Sequence, residues 1–166
     1  MILGLSTSNF TLVHVVISLV GIVSGLIVLL AMLGSKRLDG WTALFLATTV
    51  LTSVTGFFFP SDRLLPSHIV GIISLVALAA AILALYVYRL AGPWRWIYVT
   101  GAVVALYLNL FVGVVQAFQK LPFLQRLAPT QSEPPFLAAQ LIVLAALIVL
   151  GFVAVRKFHP ATKAFA

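Results

Sequence analysis

The chain has 166 residues, 63% of them hydrophobic and 8% charged, with a formal net charge of +7 and no cysteine. A soluble domain of this length needs more charged surface, so the composition points to an integral membrane protein. Without cysteine there is no disulfide, thiolate metal site or thiol nucleophile, and the basic residues, confined to connections between apolar runs, build no nucleic-acid-binding face.

Five runs come close to the roughly 20 apolar residues that cross a bilayer core. The first covers residues 10–33 and ends at GSKRLDG. It does not read as a signal peptide, because MILGLSTSN carries no Lys or Arg and the run is too long, so it is expected to stay in the mature chain. The second, 41–59, is closed by Pro60 and SDRLLPS. The third, 68–88, follows Pro66 and Ser67, with Ser67 expected as its N-cap.

Gly92 and Pro93 break the chain before the fourth run, 94–118. The connection 119–135 is the longest. Its Leu121, Leu124, Leu127 and Ala128 recur at helical spacing against Lys120, Gln125 and Arg126, which suits either a short amphipathic turn on the membrane surface or a loop capping the bundle. The fifth run, 136–155, leads to a basic tail, 156–166, in which His159 reads as a solvated residue and the end as frayed.

Lys36, Arg37, Arg89, Arg95, Arg156, Lys157 and Lys163 fall on one side of this arrangement. Arg63, Lys120 and Arg126 fall on the other, with Asp62 and Glu133. The positive-inside rule then places the N-terminus outside and the C-terminus in the cytoplasm of a multi-pass inner-membrane protein. Trp41, Trp94, Trp96, Tyr86, Tyr88 and Tyr98 gather at the cytoplasmic end as an aromatic belt.

The expected fold is an all-α, five-helix transmembrane bundle forming a single domain. A duplicated two-helix hairpin is suggested by His14 and His68, which open spans one and three 54 residues apart.

Polar groups inside a span need a partner or a function. His14, Ser18, Gly21 and Gly25 share one face of span one, and the two glycines form a G-x-x-x-G step that permits close helix approach. Span two carries TTVLTSVTG, whose hydroxyls usually bond their own helix or a neighbour. Span four has Asn109, Gly113, Gln116 and Lys120 on one face, and span five has Gln140. With this orientation His14, Thr55, His68, Gln116 and Gln140 all lie in the outer half of the membrane, around an outward-opening pocket floored near Asn109.

Those six residues are the candidate binding site. Two histidines on separate helices at one depth could ligate haem b. A quinone or lipid headgroup could instead bond His, Gln and Thr, with Phe57, Phe58 and Phe59 at the mouth. Two histidines without a third ligand make a poor zinc or copper site. No G-x-S-x-G, H-E-x-x-H or paired intramembrane carboxylate occurs, so an enzyme is not favoured. The expected role is binding a small apolar or amphipathic ligand or cofactor, or serving as an accessory subunit. The expected partners are the lipid bilayer and a larger membrane complex or a second copy, with no nucleic acid. A small transporter or channel is the alternative, though no span carries the usual coupling carboxylate.

Overall fold

The computed structural model describes residues 2, 4–60 and 66–160. Among these the chain is helical, with one isolated bridge between Ile2 and Leu5 and no strand. The helices are α1 (Thr7–Leu33), α2 (Asp39–Gly56), α3 (Pro66–Ile82), α4 (Trp94–Lys120), the short α5 (Pro122–Leu127) and α6 (Pro134–Lys157).

α1 starts a turn earlier than hydropathy alone suggests, because Ser6 caps it by accepting from the Asn9 N–H at 3.2 Å. α2 ends at Gly56, so Phe57 to Phe59 leave the helix and form a turn before Pro60. Ser67 is not an N-cap: Pro66 is already helical and takes the first position, where its missing N–H costs nothing. α3 runs into a π turn, Leu83–Val87, closed by Tyr88 N–H to Leu83 O and Leu90 N–H to Ala84 O, both 2.9 Å. α6 begins with two prolines after Glu133. Residues 61–65 and 161–166 carry Arg63, Asp62 and Lys163, which lie outside the described residues.

Among the described residues four helices are long and apolar enough to cross a membrane: α1, α3 with its π turn, α4 and α6, with mean hydropathy of 2.0 to 2.8. α2 is not among them. It has 18 residues, opens on Asp39 and carries a threonine-rich second half. Their outward faces are apolar, with Leu12 64%, Val76 66% and Ile142 69% exposed. In water such surfaces would aggregate; hydrocarbon solvates them.

α4 is the hub, packed against α1, α2, α3 and α6, while α2 fits between α1 and α3, and α6 against α1. The core centres on Phe45, Leu78, Val99, Ala105, Leu106 and Leu147. Where α3 meets α4 the backbones nearly touch, since a Cβ on Gly101 would lie 2.7 Å from the Ala77 carbonyl oxygen.

One aromatic expectation is corrected at the end bearing Arg95. Tyr88 and Trp94 stack, ring centroids 3.7 Å apart, but Tyr98 is only 2% exposed and packs on Phe158, so it belongs to the core rather than to a belt. The tail is docked as far as His159: Phe158 is buried, and the His159 N–H donates to Ser35 Oγ at 2.8 Å. Arg95 Nη1 donates to the carbonyls of Val155 (3.0 Å) and Phe158 (2.7 Å), meeting groups that the end of α6 leaves unsatisfied. In the connection 121–133, α5 buries none of its residues and leaves Phe123 71% exposed, beside a small cluster of Phe118, Ala128 and Phe136.

Candidate functional site

α2 supplies the hydroxyls, and its own backbone takes up the protons of three of them. Thr48 donates to Leu44 O (2.7 Å), Ser53 to Thr49 O (2.9 Å) and Thr55 to Leu51 O (2.7 Å). A hydroxyl that has spent its one proton this way keeps lone pairs for other helices. On the α3 side the Ser53 and Ser74 oxygens are 3.1 Å apart.

On the α1 side stands His14, half-buried, with Nδ1 2.7 Å from Thr55 Oγ1. The Phe59 ring meets the imidazole edge-on, centroids 5.2 Å apart at 87°, and Phe10 meets Phe59 at 5.2 Å. Phe10 lies one turn before His14 and so shares its helix face. That spacing was available in the sequence, and Phe10 is the site residue it could have revealed.

Deeper along the same seam, Gly21 is surrounded by polar atoms. A Cβ there would lie 3.1 Å from Asn109 Nδ2 and 3.2 Å from the hydroxyl oxygens of both Thr48 and Thr49. Asn109 makes one long bond, from Nδ2 to Ser18 O at 3.4 Å. The hydroxyls of Thr49 and Thr52 are buried without a hydrogen-bond partner among the described residues. Below this knot Gly25, Val28, Met32, Phe45, Ala102 and Leu106 surround an apolar space of only about 10 Å³.

The six candidate residues therefore divide. His14 and Thr55 come together, and Asn109 lies further along their seam. His68 is on the other side of the end of α2, stacked on Phe57 with centroids 5.4 Å apart at 13°. Gln140 donates to Phe111 O on α4 at 3.2 Å and pins α6 there, while its Oε1 is buried without a partner. Gln116 is half-buried and makes no hydrogen bond among the described residues.

A second space, an open groove of about 330 Å³, runs along Leu19, Val20, Val23, Ser24 and Trp41. Neither space is lined by any of the six. Among the described residues no three His, Asp or Glu gather as a metal site. No family model, curated protein or solved structure matches the chain.

Proposed function

We propose that this is a five-crossing inner-membrane protein, N-terminus outside, that binds the headgroup of a small amphipathic ligand of quinone type at the His14–Thr55 end. The observation that carries the reading is the pairing itself. An imidazole held by a threonine and met edge-on by Phe59, on which Phe10 packs, leaves one ring nitrogen without a partner among the described residues. Few polar groups in an apolar aromatic setting are what a small-ligand site uses to fix orientation.

α2 as the fifth crossing draws support from its packing between α1 and α3, which leaves it little lipid contact on its hydroxyl side. The orientation rests on the charge asymmetry of the connections. The duplicated hairpin draws support from the close α1–α2 and α3–α4 pairing, and none from the histidines, whose surroundings differ. Against transport, the close apolar packing around Phe45 and Leu106 supports a blind-ended site over a through-path.

Haem b is the second candidate, on the same free nitrogen of His14. The visible spectrum of detergent-purified protein, oxidised and reduced, separates the two: a Soret band lost in His14→Ala identifies haem. For the amphiphile, mass spectrometry of extracted lipids should find one species that is absent after His14→Ala. If nothing specific co-purifies, the role is that of an accessory subunit. A reporter fused after Ala166 should be active only in a cytoplasmic assay.

A further inference from the structure

The hydrogen bonds around Thr55 fix which imidazole nitrogen of His14 carries the proton. Thr55 Oγ1 lies 2.7 Å from Leu51 O and 3.2 Å from Thr52 O, both of them carbonyls that can only accept. Its single proton bonds the nearer one, because without it two oxygens 2.7 Å apart would repel each other. The contact at 2.7 Å with His14 Nδ1 is then a hydrogen bond only if Nδ1–H donates to the threonine oxygen. In a neutral imidazole the other nitrogen, Nε2, must be a bare acceptor.

Nε2 has no hydrogen-bond partner among the described residues. The Phe59 ring meets the imidazole edge-on, and Phe10 packs against Phe59 in turn. The neighbouring positions on α1, Leu12 and Val13, open towards lipid. A half-buried acceptor on an imidazole packed against an aromatic ring selects against ligands that offer only carbonyl oxygens, because two lone pairs would face each other. It selects for a ligand that brings a hydroxyl.

We infer that His14 and Thr55 form a receptor for a hydrogen-bond donor, the hydroxyl of a phenolic or alcohol headgroup, and that the reduced, hydroquinone form of a ring ligand is preferred to its quinone. This rests on the amphiphile reading above and adds the protonation state of the head.

The test uses the full chain in detergent micelles, with histidine ring nitrogens followed by long-range proton–nitrogen NMR and the His14 signals identified by their loss in His14→Gln. The free protein should show His14 as the Nδ1–H tautomer. Titration with a short-chain hydroquinone, the matching quinone and a monoacylglycerol should give about tenfold tighter binding for the hydroquinone than for the quinone, the worth of one hydrogen bond in a dry site.

Thr55→Val removes the acceptor that fixes the tautomer and should bring the two forms near parity, while Thr55→Ser should keep the preference. An Nε2–H tautomer in the free protein overturns the inference, whatever the variants do. Equal or tighter quinone binding overturns it and leaves the amphiphile site standing. Binding of none of the three probes overturns both. A monoacylglycerol that outcompetes the hydroquinone supports the donor rule and identifies the hydroxyl as a lipid's.

Discussion

The Arg95 guanidinium stands 2.7 Å from the Phe158 carbonyl oxygen and donates to it, tying the start of α4 to the end of α6. The same nitrogen also reaches Val155 O. Charge-assisted bonds to helix C-terminal carbonyls are among the stronger single contacts available, and the positive charge suits the negative end of the helix dipole. Arg95→Leu should cost about 2–3 kcal/mol, measured by denaturant unfolding in mild detergent. Arg95→Lys should recover part of that, since an ammonium can seldom serve two carbonyls as well. Wild-type stability in Arg95→Leu would refute the clamp.

Gly101 and Gly21 rank differently as sites for an added methyl. At Gly101 the obstacle is a backbone carbonyl at 2.7 Å, which cannot rotate away. At Gly21 the neighbours are side-chain atoms at 3.1 Å and 3.2 Å, which can yield by a few tenths of an ångström. Gly101→Ala should destabilise by roughly 1–3 kcal/mol, and Gly21→Ala by clearly less. The reverse order in a thermal unfolding series would show that the α3–α4 contact is looser than described.

Thr49 offers a test with the opposite sign. Its hydroxyl is buried without a partner, and Val has nearly the same shape. Thr49→Val should be neutral or stabilising by up to about 1 kcal/mol, because it removes a polar group that nothing satisfies. A loss of stability would mean that the hydroxyl does have a partner in the membrane, a water or a ligand oxygen.

Glu133 gives a pH dependence. Slight desolvation pushes its pKa up, but hydrogen bonds from the Thr130 N–H and hydroxyl and from the Glu133 and Ser132 N–H groups outweigh that, so its carboxyl is held below the usual glutamate value. A depressed folded pKa means that the stabilisation is fully present above the unfolded value of about 4.3 and is lost as pH falls through the folded one. Melting temperature in detergent should drop on acidification from about pH 5 downwards, and Glu133→Gln should flatten that part of the curve. An unchanged curve would remove Glu133 from the account of the loop.

The extents of α1, α4 and α6 were legible because a long apolar run has few other uses, and the structure lengthens them by only a few residues at caps and prolines. Rotation was not legible. When every face of a helix is apolar, hydropathy does not say which side meets protein. Gln140 and His68 could therefore be placed at a depth, but the Phe111 carbonyl and the Phe57 ring could not be foreseen as their partners. Tyr98 misled for a related reason: a tyrosine near basic residues reads as an interface anchor, and only the docked Phe158 shows why it is buried. His14 and Thr55 were each singled out, yet joining them across 41 residues required the rotations of two helices at once.

The central place of α4 sets the order in which this protein can be assembled. Ribosomes deliver α1 and α2 first, and that pair arrives with the Ser18 carbonyl, Thr48 and Thr49 near Gly21, where Asn109 of α4 will come to lie. Asn109 lies 91 residues after Ser18, so their contact must wait for most of the chain to be made. Until then the Ser18 carbonyl and the two threonines lack the Asn109 amide that the folded bundle sets beside them. The early hairpin is thus a provisional structure, committed only when its hub arrives.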